Sequence, residues 1–573
     1  PRGLLLLVDF KAAFPSVSQE FMQECLEGFG MPLEALRVLE SLYDGGCCEV
    51  VLGSGRWDGF SMGSGIRQGC PLSPLIFALV MDLLLRVLST RLGQDFLIRA
   101  FADDVGIVLA DAPKQLPILV KALQEFGELS GMRVNLPKTV GIPLWHASLA
   151  EASVEIAEFA PEWAGLPLRR AAKYLGCTIG PDKAAQEWNP ALQKFKERVQ
   201  GWNWSELGLF FATVAYNTYA LSVMAFTSQV SFPTEQVLEV ERWALRRAAP
   251  GPGNWAVPID LWSLKIHYGM PSAFRSLSST ARLAQERMFF LENSSNGGLR
   301  LAERHAELSS AMAQTSQWSR LYAWADWYEQ AIATRLISNH TYILERGIVS
   351  QTLVRNLDPV DLRLSKDEEI AALRQELKES VSSGLERHVL PHPHNRVRQK
   401  LERWKLSGPP RVVADRFLCR ISKLGALVPP RVVAAVFSTA WNRWCTARRF
   451  QKRDRACNNC CLGCGGGAED SIEHYSRCKA VRDFHNSVLN IQAEWLLPFW
   501  LGVHSSQGYD EELLACGAIG AFAVYMVTNK ARHGGFLSTA EAKQALHQAA
   551  KEAVLGHRKA VKILSTRWVR SAG

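Results

Sequence analysis

Two carboxylates stand side by side in FADDVGIVLAD (101–111), between FLIRAF before them and VGIVLA after them. Both flanks are apolar and rich in β-branched and aromatic residues, the composition of short strands. Asp103 and Asp104 therefore fall at the tip of a hairpin whose arms are buried. Like charges held that close to a core are costly unless a cation shares the site. A second strand-like run, LLLLVDF (4–10), also ends on a carboxylate, Asp9. Acids that end separate strands can meet at one edge of a sheet. A hard cation such as Mg²⁺ takes oxygen ligands from one or two carboxylates together with substrate phosphates, and two such ions clamp the attacking and leaving oxygens of a phosphoryl displacement. An Asp-Asp pair by itself also suits a plain turn, so its neighbours must decide.

Those neighbours read as α+β, a sheet backed by helices. Helical patterns run through SQEFMQECLEGFG, PLEALRVLESLYDG and QLPILVKALQEFGELSG. Strand patterns run through CCEVVLG, RWDGFSM and MRVNLPKT. The apolar run 71–93 carries Asp82 and Arg86 at its middle, which marks a buried core helix rather than a membrane span. The opening PRGLLLLVDF is too short for a signal peptide, and the chain starts on a strand without an initiator Met, as though an upstream part preceded it. At 573 residues the chain has room for about three or four domains. Its 47% hydrophobic and 21% charged residues exclude a disordered chain. A net charge of +9 hints at a polyanionic partner.

VDFKAAF (8–14), GIRQGCPLSPLIF (65–77), FADD (101–104), SGMRVNLPKT (130–139) and KYLG (173–176) occur in the order and approximate spacing of reverse transcriptases from non-LTR, LINE-like retrotransposons, which residues 1–180 closely resemble. The resemblance implies a right-hand polymerase palm with partial fingers. It makes Asp9 and Asp103 ligands of two Mg²⁺ ions, Asp104 the supporting acid, and the Phe10 carbonyl a further ligand. It sets Phe14 beneath the sugar, where its bulk would exclude a 2′-hydroxyl and select dNTPs. Gln68 and Gly69 correspond to a turn against nucleotide and template, with Arg67 and Ser73 supporting them. Lys138 corresponds to a general acid for the leaving pyrophosphate, and Tyr174-Leu175-Gly176 to a hairpin gripping the primer end. Pro15 departs from the family, which usually has an acidic or amide residue there. Only eight residues precede Asp9, where the family keeps most of its fingers.

Residues 181–335 read as a mainly helical, thumb-like region following the palm, and 336–455 as a helical connector with basic segments. GPGNW (251–255) marks a break, and HPHNRVRQKLERWKLSGPPR (392–411), basic and punctuated by Pro and Gly, suits a linker. WNRWCTARRFQKRDR (441–455) combines positive charge with Trp platforms of the kind that stack on RNA bases. Five of the 13 cysteines lie between Cys457 and Cys478. Such clustering favours a metal in a reducing compartment over disulfides. Cys461, Cys464, His474 and Cys478 have the spacing of a tetrahedral Zn²⁺ site over 456–482, with Cys457 and Cys460 a competing pair. The spacing also resembles the cysteine-histidine motif downstream of LINE-like polymerases. Residues 483–573 read as an apolar helix followed by a basic one, with His485, His504 and His533 structural or at the surface.

The expectation is an RNA-directed DNA polymerase that copies an RNA template by adding dNTPs to a DNA primer, without a membrane. The resemblance implies residence in the nucleus or a cytoplasmic ribonucleoprotein. The alternative is a catalytically silent remnant that binds RNA or DNA through its zinc and basic segments.

Overall fold

The computed structural model describes residues 2–93, 95–295, 335–348, 367–450, 459–465, 468–504 and 510–572. These residues form two compact units that divide between Asn189 and Pro190.

The first unit is built on β1, Leu4–Val8, buried at every position. An unbroken apolar strand of this kind must be covered on both faces. It lies inside a four-stranded antiparallel sheet of order β4-β5-β1-β6, where β4 is Phe96–Phe101, β5 Asp104–Leu109 and β6 Val140–Pro143. Successive side chains point to opposite faces. Leu4, Leu6 and Val8 join the core beneath the helices, whereas Leu5 and Leu7 pack with Ile142 and Ala172 on the other face. That second face is covered by a small hairpin, β7 (Ala172–Tyr174) and β8 (Cys177–Ile179), which makes a two-stranded sheet of its own.

The helical side comprises α1 (Ala13–Ser16), α2 (Gln19–Gly28), α3 (Leu33–Tyr43), α4 (Ser73–Leu92) and α5 (Ala112–Ser130), with α6 (Leu149–Phe159) after β6. Helix α4 is the apolar run 71–93. Ile76, Val80, Leu84 and Leu88 recur every fourth residue along its buried stripe, while Asp82 and Arg86 pair at 2.7 Å on its outer side. Helix α5 stops at Gly131, in the left-handed region at φ 79°. A Cβ there would lie 2.2 Å from the Ser16 carbonyl oxygen, so only glycine allows the chain to turn back against α1. The expected hairpin 47–61 forms as β2 (Cys47–Leu52) and β3 (Gly55–Ser61).

One strand expectation is overturned. MRVNLPKT is a loop that touches the sheet through a single bridge, Phe10 to Val134, and regular pairing starts only at Val140. Pro137 has no amide to donate to a ladder, and the Asn135 carbonyl collects the amides of Lys138 and Thr139 at 3.0 and 2.9 Å, which closes a turn.

The described residues of the second unit are mainly helical. ELGLFFATVAYNTYALSVMAF is not one continuous helix. Gly208 has φ 65° within Trp204–Ala215, and a wider turn, Tyr216–Ala220, then a tighter one, Leu221–Met224, follow. The apolar helix Glu511–Gly534 is the centre of the unit and packs against Thr539–Val554, Pro430–Ala440 and Leu497–Trp500. It and Trp204–Met224 are long and apolar enough to cross a membrane, but 72% of its most apolar window is buried within the protein. The linker expectation for 392–411 also fails. His394–Glu402 is a helix that buries Val397 and Leu401. Its Arg396 grips the buried Asp260 at 3.0 Å, and Lys400 donates to the Trp255 carbonyl at 2.7 Å. Residues 451–455 of the basic stretch, Cys457, and 296–334 and 349–366 of the helical region lie outside the described residues.

Candidate active site and cysteine-histidine cluster

The register of the sheet brings the two acidic segments together. Val8 faces Val105 in the antiparallel β1–β5 pair. Asp9 is the next residue along one strand and Asp104 the preceding residue on the other, so the two acids leave the sheet opposite each other. Phe101 pairs with Asp104 across β4 and β5, which leaves Ala102 and Asp103 as a two-residue turn. Ala102 takes φ 52°, a left-handed conformation uncommon outside glycine, and such strain clusters at functional sites. The Asp104 carboxyl is held above the usual carboxylate range, first by loss of surrounding water, then by the negative charges of Asp103 and Asp9. Among the described residues, none of the three acids forms an ion pair. Three mutually repelling carboxylates at one sheet edge are the donor set that a divalent cation fits.

The backbone at Asp9 is clamped by the 132–139 loop. Its amide donates to Thr139 Oγ1 at 3.2 Å and its carbonyl accepts from the Asn135 amide at 2.7 Å. The Lys11 amide donates to the Arg133 carbonyl at 2.8 Å. The loop thus brings Thr139 against Asp9, and Lys138, exposed, is the residue before it. The Phe10 side chain is buried in the core, so only its backbone could serve a ligand.

The next segment is tied on in the same way. The Phe14 carbonyl accepts from the Ile66 amide at 2.8 Å, and the Val17 carbonyl from the Gly65 amide at 2.7 Å. Phe14 is half-buried, its ring stacked on Phe77 of α4 with centroids 4.1 Å apart. Pro15 falls within the single turn of α1, where its missing amide costs nothing, and its carbonyl accepts from the Ser64 hydroxyl at 3.4 Å. The Arg67 backbone is held from both sides. Its amide donates to the Tyr43 hydroxyl at 3.2 Å, and the Ser73 hydroxyl donates to its carbonyl. The Arg67 guanidinium lies over the Tyr43 ring. Beyond this clamp, Gln68 and Gly69 are exposed, and Gly69 turns at φ 90°. Tyr43, which sequence reasoning missed, is therefore part of the support of this loop; an aromatic ending a helix gave no signal of it.

In the second unit, Cys460, Cys464, His474 and Cys478 bring their ligand atoms within 4.8 Å of one another. Cys464 Sγ lies 3.4 Å from His474 Nε2, and Cys460 Sγ lies 4.0 Å from Cys478 Sγ. Three sulfurs and one imidazole suit tetrahedral Zn²⁺. Cys478 is pulled down to about 4, chiefly through its contact with Cys460 and, against the opposing effect of burial, through its contact with His474. Cys460 is pushed up by the same Cys460–Cys478 contact. Cys461, expected as a ligand, is not one of the four. Cys461 opens a turn and its side chain goes to the Tyr475 hydroxyl, 3.1 Å away. Tyr475 donates to Asp470 Oδ1 at 2.7 Å, and Asp470 also accepts from the Ala447 amide at 2.7 Å and pairs with Arg532 at 3.0 Å. This buried network ties the cysteine-rich segment to the helix Glu511–Gly534.

The Trp platforms of 441–455 are corrected as well. Trp441 and Trp444 are 1% and 0% exposed, and their rings pack on Phe437 and Trp500. Arg443 between them is half-buried and donates to the Pro250 carbonyl at 2.9 Å. Aromatic rings with no exposed face cannot stack on a base.

Comparison with known proteins bears on the first unit. Residues 3–179 match the model of the family described as reverse transcriptase (RNA-dependent DNA polymerase). The chain is 32% identical over 142 residues to the Pol polyprotein of the type-2 retrotransposable element R2DM of Drosophila melanogaster, covering 24% of this chain and 13% of that one. It is 37% identical over 125 residues to the Pol polyprotein of the type-1 element R2 of Nasonia vitripennis, covering 20% and 12%. The chain thus matches about an eighth of the length of these relatives. A solved telomerase of Candida tropicalis, in complex with a fragment of telomeric RNA, is 14% identical, with a TM-score of 0.27 over 56% of this chain and 49% of that one. Five ordered motifs, the acidic sheet edge and the family match coincide in one segment, and residues 3–179 are a reverse transcriptase domain of the non-LTR, LINE-like kind.

Proposed function

We propose that this chain is an RNA-directed DNA polymerase, extending a DNA primer on an RNA template with dNTPs. The observation that carries the reading is the meeting of Asp9 with the Asp103–Asp104 turn across β1 and β5. Asp9 and Asp103 would hold Mg²⁺, which neutralises charge on the phosphates and lowers the barrier to attack by the primer 3′-hydroxyl. Asp104 shares the acidic edge and supports its two partners. Phe14, braced by Phe77, stands below the sugar and excludes a 2′-hydroxyl. Gln68 and Gly69, on the loop clamped by Tyr43 and Ser73, contact nucleotide and template. Lys138 gives its proton to the departing pyrophosphate, and the Phe10 carbonyl adds an oxygen donor beside Asp9.

The helical segment from Pro190 onward serves as thumb and connector. Cys460, Cys464, His474 and Cys478 hold Zn²⁺, and the segment they close contributes to nucleic-acid binding. With Trp441 and Trp444 buried, the contacts of this region to nucleic acid rest chiefly on charge and backbone shape.

Primer extension on a primed RNA template, with dNTPs and Mg²⁺, tests the reading. The parent chain makes DNA, and Asp103→Ala loses synthesis by roughly a thousandfold or more, several kcal/mol of barrier, with RNA binding retained. A parent chain that binds RNA and makes no DNA would mark a silent remnant and refute the proposal.

A further inference from the structure

Gly106 occupies the middle of β5, paired with Arg99 of β4 and Leu7 of β1. Glycine weakens a strand interior and marks a close approach by another group. The approaching group is Tyr174 of β7. A Cβ built on Gly106 would meet the Tyr174 ring at 3.4 Å, so a methyl just fits and anything larger collides. The Tyr174 hydroxyl donates to the Arg99 carbonyl at 2.9 Å, with the Asp104 carbonyl a longer second acceptor at 3.4 Å.

No backbone ladder joins β7–β8 to the four-stranded sheet. The hairpin is held against that sheet by apolar contacts of Ala172, Tyr174 and Ile179 with Leu5, Leu7 and Ile142, and the chain leading into it is bridged to β6, where the Gly141 amide donates to the Pro167 carbonyl and the Arg169 amide to the Gly141 carbonyl, both at 2.9 Å. That bridge sits at the β6 edge, ahead of β7, and apolar contact is not directional, so neither sets the distance of the hairpin tip from β4 and β5. The two hydrogen-bond acceptors of Tyr174 and the space over Gly106 do. They lie close to the Asp103–Asp104 turn in β4 and β5, while Tyr174 itself adjoins the hairpin tip, Leu175–Gly176. There Leu175 takes φ 47°, a strained conformation for a side chain of its size.

We propose that Tyr174 is a positioning residue, seated over Gly106 and bonded to the carbonyls of Arg99 and Asp104, which sets the distance between the 175–176 tip and the acidic turn. It thereby sets where a primer end held at the tip meets the carboxylates. The proposal rests on the polymerase reading, in which this hairpin grips the primer.

The test is steady-state primer extension by the full chain carrying Tyr174→Phe, Gly106→Ala or Gly106→Val. Tyr174→Phe keeps the ring and loses the hydroxyl. It lowers kcat about threefold to tenfold, the loss of one ordinary hydrogen bond felt in the transition state, and leaves KM for dNTP and the primer–template Kd within about twofold. Gly106→Ala stays near the parent, and Gly106→Val, which displaces the ring, loses at least as much as Tyr174→Phe. The double variant, Gly106→Val with Tyr174→Phe, loses little more than Gly106→Val alone, because both changes break one contact. A Tyr174→Phe chain with parental kcat, or one impaired only in primer–template affinity, overturns the proposal. An inactive parent overturns the polymerase reading instead. Amide exchange then decides the positioning role: faster exchange at 104–109 and 172–179 in Tyr174→Phe supports it, and unchanged exchange refutes it.

Discussion

Exchanging adjacent cysteines one at a time tests the metal cluster most sharply. In the structure, Cys460 belongs to the four-residue cysteine-histidine cluster and Cys461 does not. Structural zinc sites release about 10–16 kcal/mol on binding, spread over four protein ligands. Cys460→Ala removes one of the four and forfeits about a quarter, roughly 3 kcal/mol, or over a hundredfold in affinity. Cys461→Ala removes a buried thiol, 2% exposed, and its contact with the Tyr475 hydroxyl. That hydroxyl still donates to Asp470 at 2.7 Å, so no buried donor is orphaned and the cost is about 1 kcal/mol of stability, with no change in metal affinity. Zinc stoichiometry and competition against a chelator of known affinity measure both. The reasoning is refuted if Cys461→Ala sheds the metal while Cys460→Ala retains it.

Three further outcomes follow from the geometry. Asp104 has a raised carboxyl, so its ionised form disfavours the fold; the penalty is absent below the ordinary carboxylate pKa of about 4 and grows as pH rises through the folded value. Asp104→Asn therefore raises Tm at pH 7 in chelator, and the gain vanishes at acid pH and shrinks with added Mg²⁺; an unchanged or lower Tm at pH 7 argues against the crowding of charge. Asp470→Ala strands the charge of Arg532, whose side chain is 14% exposed, and costs about 3–5 kcal/mol in urea unfolding followed by Trp fluorescence; a loss below about 1 kcal/mol contradicts the buried network. Phe14→Val opens the space beside the sugar, and discrimination against ribonucleotides in primer extension falls by about tenfold or more; intact discrimination removes Phe14 from that role.

The local features that the structure brings together in the first unit were legible because each announces itself in a short run of sequence. Acids ending apolar runs, glycine in a turn and a helix stripe of Ile76, Val80, Leu84 and Leu88 all follow from periodicity and the cost of burying charge. The failures share one cause. MRVNLPKT has strand composition but spends its amides on the Asn135 turn. HPHNRVRQKLERWK has a linker's composition, yet Arg396 finds a buried Asp260 distant in sequence. Trp441 and Trp444 have the composition of a stacking surface and are sealed in the core. Composition reports what a segment could do in water, whereas partners remote in sequence decide whether it faces water.

By itself the sequence determined that acids would end buried strands, that a cysteine-histidine group would gather, and, through the order of its motifs, that the chain resembles a reverse transcriptase over the segment where residues 3–179 match that family. The tertiary structure alone decided that Asp9 faces Asp104, that Cys460 rather than Cys461 joins the cluster, and that the Tyr174 ring takes the place of a side chain at Gly106. Each depends on strand register or on the direction of a single Cα–Cβ bond, and a shift of one residue reverses that direction without altering composition at all.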